Sequence, residues 1–124
     1  MDRPNEDPAS YLPLTHVAYH VLLAVANQSL HGYAIIKDVE RRTEGGTVLE
    51  AGTLYGAIRR LLRQGLVEET ARSHEADARR RYYTIAPLGS RVLRAESERL
   101  VGLVELARVE RVLPAASAPR GRRQ

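Results

Sequence analysis

From Leu14 to Ala26 the apolar positions Leu14, Val17, Ala18, Val21, Leu22 and Val25 recur at i, i+3, i+4, i+7, i+8 and i+11, the period of a helix with one buried face. Pro13 and Thr15 introduce that helix, and Asn27 to Leu30 reads as a turn. A second helix is expected from about His31 or Gly32 to Arg42, burying Ile35, Ile36 and Val39 before Gly45 and Gly46 stop it. The third, Ala51 to Gly65, gathers Leu54, Ile58, Leu61 and Leu62 on one face and Gly52, Gly56, Arg59, Arg60 and Arg63 on the other. Gly65 stands where a left-handed cap residue is usual. The pattern then changes. Leu66 to Thr70 and Arg80 to Ala86 read as two strands joined by a polar loop, Ala71 to Arg79, with Tyr83 and Ile85 facing the core and Tyr82 and Thr84 outward. Pro87 and Gly89 end this β-hairpin, and Ser90 to Leu113 makes one long final helix.

Helix, helix, helix, strand, loop, strand is the order of a winged helix-turn-helix. The expected fold is therefore mainly α with a small β-hairpin (α+β), carrying one long C-terminal helix. Residues 1–13, with Pro4, Pro8 and Pro13 among acids, read as a flexible arm, and residues 14–89 as the DNA-binding domain. Residues 90–113 read as a dimerisation helix and 114–124 as a disordered basic tail.

The third helix carries three arginines, no acid and two glycines on its polar side. A glycine on an exposed helical face costs about 1 kcal/mol relative to alanine, and close approach of the backbone to a partner is a reason to keep one there. A helix seated in a DNA groove supplies that reason. Thr53 and Tyr55 near its start, with Gly52, Arg59 and Arg63, are the candidate contacts to base edges and phosphates. Arg79, Arg80 and Arg81 flank the hairpin loop, where Arg72 and His74 face Glu75 and Asp77, and are expected beside the sugar-phosphate chain. Tyr82 is the outward contact candidate and Tyr83 the packing residue.

Composition narrows the alternatives. The chain of 124 residues is 44% hydrophobic and 27% charged, as expected of one folded domain with tails. Its net charge of +4 rests on eighteen Arg and one Lys, which favours bidentate phosphate or carboxylate partners. The absence of Cys excludes thiolate metal sites and cysteine nucleophiles, and no cofactor is indicated. No run of apolar residues is long enough to span a membrane and no secretory signal is present, so the expected location is cytoplasmic, at the nucleoid. His16 and His20 lie four apart, a spacing that can chelate a metal, but HVAYH lacks the Glu of a zinc protease and no metal is expected. No nucleophile with a placed base is visible, and no enzyme is expected.

The final helix exposes more apolar surface than one small domain covers, and Leu93, Leu100, Leu103, Val104 and Ala107 are expected to meet a second copy. A twofold homodimer places two reading helices about 34–36 Å apart on a palindromic operator in double-stranded DNA.

His31-Gly32-Tyr33 with Ile35-Ile36, Gly52-Thr53-Leu54-Tyr55, Gly65-Leu66 and Arg81-Tyr82-Tyr83, in this order over roughly Leu14 to Gly89, resemble the signature of the PadR family of bacterial transcriptional regulators. The single helix after the wing resembles that family's short subclass. Two positions depart from it: Glu50-Ala51 stands where the family often has Ser-Pro, and Gly56 where proline is common. The resemblance implies a DNA surface at Gly52, Thr53 and Tyr55, with Leu54 in the core. It also implies a ligand-responsive repressor whose small-molecule effector, of unknown identity, acts across the long-helix interface. With no Trp or Phe and six Tyr, an aromatic stacking pocket there has little support. The rival reading is a winged-helix module that holds a protein partner, and weak salt dependence would distinguish it.

Overall fold

The computed structural model describes residues 7–70 and 81–116. Four helices and a three-stranded antiparallel sheet form in the order α1 (His16–Ala24), β1 (Leu30–His31), α2 (Gly32–Arg42), α3 (Ala51–Arg63), β2 (Val67–Thr70), β3 (Tyr82–Ile85) and α4 (Pro87–Val109). Each boundary has a local cause. Thr15 Oγ1 accepts from the Ala18 amide at 3.0 Å and starts α1. His31 Nδ1 accepts from the Ala34 amide at 3.3 Å and starts α2. Gly45 and Gly65, at φ of 82° and 77°, take the left-handed conformations that follow α2 and α3.

The helical periods carry through to the core. Leu22, Ile35, Leu54, Ile58, Leu61, Leu66 and Val92 are fully buried together, so α1, α2, α3 and the start of α4 close one apolar centre. The wing lies at its edge, with Val67 opposite Ile85 and Thr70 opposite Tyr82. Leu30, expected in a turn, and His31, expected at the start of the second helix, add β1 to the outer side of β3, opposite Tyr83 and Tyr82. Two residues are too short to show a period of two, which is why only the long-range pairing reveals this strand.

Residues 7–13 differ from the flexible arm expected over 1–13. Asp7 caps a 3-10 turn, Pro8–Tyr11, that packs on α4, and Tyr11 and Leu12 join the core's margin. The tip of the hairpin, 71–80, and the tail, 117–124, lie outside the described residues. No described helix is long and apolar enough to cross a membrane.

Gly89 is where α4 crosses the end of α3. A Cβ there would overlap the Leu66 carbonyl oxygen, which already accepts from the Ala86 amide at 2.9 Å, and would lie 2.9 Å from Ile85 Cγ1. Backbone cannot rotate away as a side chain can. Gly89→Ala is therefore expected to destabilise the fold by about 2–3 kcal/mol, read as a thermal midpoint lowered by roughly 10 °C.

Glu96 is 2% exposed on the core side of α4. Its carboxylate accepts from the Leu14 amide at 3.0 Å and from Arg99 Nε and a terminal guanidinium nitrogen at 2.6 and 3.0 Å. The Arg99 hydrogen bonds, opposed by burial and aided by the Leu14 amide, hold it below the usual carboxylate range. Because the folded state binds this proton less readily than the unfolded state, its contribution is complete above the ordinary value of 4.5 and disappears as pH falls through the folded value. Urea melts are expected to show wild-type stability falling below about pH 4.5, with a shallower fall in Glu96→Gln. Equal slopes would remove Glu96 from the acid response.

Candidate nucleic-acid interface

The outer face of α3 is the centre of the site. Leu54, Ala57, Ile58 and Leu61 are buried, which turns Gly52, Thr53, Arg59, Arg60 and Arg63 to solvent. Nothing lies within 4 Å of the space a Cβ at Gly52 would take, and at Gly56 the nearest group is the Arg59 guanidinium at 4.0 Å. The two glycines leave a low strip between the arginines, where a partner can reach the helix backbone.

Most described arginines outside α3 are paired with a carboxylate, Arg91 and Arg111 being the two with none among the described residues. Arg41 and Arg42 both bind the buried Asp38, Arg81 binds Glu69, Arg94 binds Glu98, Arg99 binds Glu96 and Arg108 binds Glu105. Arg59, Arg60 and Arg63 have no carboxylate partner among the described residues. Three guanidiniums without a carboxylate partner among the described residues, on a helix that itself carries no acid, form a surface complementary to a polyanion. Arg60, not singled out as a contact from sequence, belongs with the other two. It lines a shallow groove between α3 and the start of α1 with Thr15, Val17, Gly52, Thr53 and Gly56. The absence of acids along the helix applied to Arg60 as much as to Arg59 and Arg63.

Tyr55 has a double role. It is 39% exposed at the flank of α3, yet its hydroxyl occupies the space a Cβ at Gly32 would need. Gly32 thus permits α2 and α3 to meet, a requirement that the His31-Gly32-Tyr33 motif signalled. Beneath Tyr55, burial pushes the Tyr83 phenol above its ordinary value, with Glu69 and Tyr55 adding to the shift.

The wing departs from expectation at two positions. Tyr82, expected outward, is 6% exposed, and its ring meets His31 edge-on at a centroid distance of 5.3 Å. β1 and the His31 cap cover the face that a two-stranded hairpin would leave open, so Tyr82 is a packing residue like Tyr83. Arg81 remains exposed but is held by Glu69 at 2.7 Å across the β2–β3 pair. Arg79 and Arg80 lie outside the described residues.

On α4, Leu93 is 8% exposed and belongs to the protomer's own core, because the first half of the helix closes the domain. It is withdrawn from the expected dimer surface. Leu100 and Ala107 are half-buried, while Leu103 and Val104 are exposed beside Val101, Leu106 and Val109. This distal half presents an apolar face that its own domain does not cover.

His16 and His20 stack edge to face at 4.5 Å, and His16 Nε2 lies 3.3 Å from Thr47 Oγ1. Burial and the neighbouring His16 lower the basicity of His20. Among the described residues no group of three or more His, Asp or Glu is arranged to hold a metal.

This architecture has known counterparts. A PadR family transcription regulator from Clostridium difficile R20291 superposes with a TM-score of 0.66 at 18% identity, covering 77% of this chain and 98% of that one. A padr family transcriptional regulator from Eggerthella lenta DSM 2243 superposes with a TM-score of 0.62 at 28% identity, covering 88% and 87%. An uncharacterized 37.1 kDa protein in transposon TN4556 of Streptomyces fradiae is 37% identical over 83 residues, which are 67% of this chain and 22% of that protein. The chain thus spans about a fifth of that relative's length. The profile of the transcriptional regulator PadR-like family matches residues 21–95, from the middle of α1 through the wing to the buried part of α4. An α3 that carries arginines and no acid, a wing and the buried start of α4, under a family profile that spans them, lead to one conclusion: the chain belongs to the PadR-like family of transcriptional regulators.

Proposed function

We propose that this chain acts as a repressor that binds a palindromic operator as a homodimer and releases it in response to a small molecule. The observation that carries the DNA-binding part is the row of exposed arginines beside Gly52 and Gly56 on α3, which have no carboxylate partner among the described residues. Thr53 and Tyr55 at the start of α3 are the base-edge readers, since the first turns of a recognition helix enter the groove deepest. Arg59, Arg60 and Arg63 contact phosphates, and Arg81 joins them by exchanging Glu69 for phosphate. Arg79 and Arg80, which precede Arg81 in the chain, are proposed to add to the same phosphate contacts.

The apolar distal face of α4 is the dimer contact, through Leu100, Leu103, Val104 and Ala107. An effector bound against that contact would change the spacing of the two reading helices. A footprint on the promoter region adjoining the protein's own gene tests the whole reading. Protection of an inverted repeat supports it, and binding to a protein partner with little salt dependence replaces it with the interaction-module alternative.

A further inference from the structure

α4 is two helices in one. Gly89, Val92, Leu93 and Glu96 are its buried residues, and beyond Glu96 no described position of the helix is buried. Glu96 is thus the last described position of the helix that is buried against the winged-helix body. Such a place needs no carboxylate for packing, because a leucine would fill it without the desolvation that a buried charge suffers.

What the carboxylate adds is direction. One bond reaches out of α4 to the Leu14 amide, in the segment that leads into α1, and Arg99 closes the remaining oxygen positions from the next turn. One residue further, the Ser97 and Tyr19 hydroxyls lie 2.7 Å apart, tying α4 to the second turn of α1. Tyr11 and Leu12, just before Leu14 in the chain, pack against the core. Apolar contacts tolerate sliding, whereas two polar links on successive residues of α4, reaching different parts of the α1 region, define an angle.

We propose that Glu96 and the Tyr19–Ser97 pair are positioning residues that set the angle at which α4 leaves the winged-helix body, and thereby select the separation of the two operator half-sites. The proposal rests on the dimeric DNA-binding reading given above. The lever is long enough to matter. From Glu96 to Val109 the helix extends about 20 Å, so a tilt of about 10° displaces its far end by about 3 Å. That is close to the rise of one base pair, given roughly 34–36 Å for 10–10.5 bp. A fixed exit angle therefore distinguishes operators that differ by a single inserted base pair.

The test uses the full-length protein and duplexes carrying the footprinted inverted repeat with half-site centres about 9, 10, 11 and 12 bp apart. Wild type is expected to favour one spacing by about 10-fold or more, and Glu96→Gln and Tyr19→Phe to reduce that preference to about 3-fold or less while remaining dimeric. Tyr19→Phe, which loses one hydroxyl, decides the matter where Glu96→Gln does not fold. Folded variants that keep the wild-type preference overturn the proposal.

A second readout is independent of DNA. The chain contains no Cys, so Lys37→Cys and Val109→Cys allow spin labels on the body and on the tip of α4, diluted with unlabelled protein to isolate distances within one protomer. A narrow distance distribution in the otherwise wild-type background that broadens with Tyr19→Phe or Glu96→Gln supports the assignment, and an unchanged distribution rejects it. Wild-type protein that binds no duplex would reject the operator reading alone, since the label distances still decide what Glu96 does.

Discussion

Replacing Arg59, Arg60 and Arg63 together with glutamine is expected to lower operator affinity by at least about 1000-fold at physiological salt and to flatten its salt dependence. The magnitude follows from counter-ion release. Each phosphate neutralised on duplex DNA contributes about 0.9 to the slope of log affinity against log salt, so six arginines in a dimer account for about 5 units. Because all three side chains are exposed and have no carboxylate partner among the described residues, the fold should be unaffected, with stability within about 0.5 kcal/mol of wild type. Arg94→Gln is the control, since that arginine is exposed but bound to Glu98 on α4. Fluorescence anisotropy titrations between about 50 and 200 mM salt give both quantities. A triple variant with the wild-type slope would mean that α3 does not lie on the phosphate chain.

The second large effect is expected on α4. Leu103→Glu with Leu106→Glu places two carboxylates on its exposed apolar face and should convert the dimer to monomer in sedimentation, with operator affinity falling by about 100-fold to 10,000-fold. The loss arises because each half-site must then be bound separately. Neither leucine contributes to the protomer core, so the monomer should retain its helical content. Removing the whole helix would not isolate this effect, since Val92 and Leu93 would leave the core with it. A variant that stays dimeric would move the interface off this face.

The two halves of the mechanism are built on different kinds of information. Along α3, the positions of Leu54, Ile58 and Leu61 fix the buried side by period alone, and the arginines are outward because they are opposite. The same holds for α1 and α2, whose caps at Thr15 and His31 are local hydrogen bonds within four residues. The apolar distal half of α4 is equally legible, because the recurrence of Leu or Val every three residues from Leu100 through Leu103, Leu106 and Val109 does not depend on what covers it.

Other features depend on contacts between residues far apart in the chain. Whether Tyr82 faces solvent was decided by its partner His31, 51 residues earlier, and whether Arg81 is free was decided by Glu69 on the neighbouring strand. Leu93 and Leu103 look alike in the helical pattern, and only the packing of Gly89 against Leu66 determines that the first is core and the second surface. Glu96 did leave a trace, an acid on the stripe formed by Val92, Leu93 and Leu100, but its partner amide at Leu14 is 82 positions away. The sequence by itself determined the elements and which side of each is apolar, since periodicity and caps are properties of neighbouring residues. Only the tertiary structure decided which apolar and charged sides are covered, because burial depends on partners that the chain brings together from a distance.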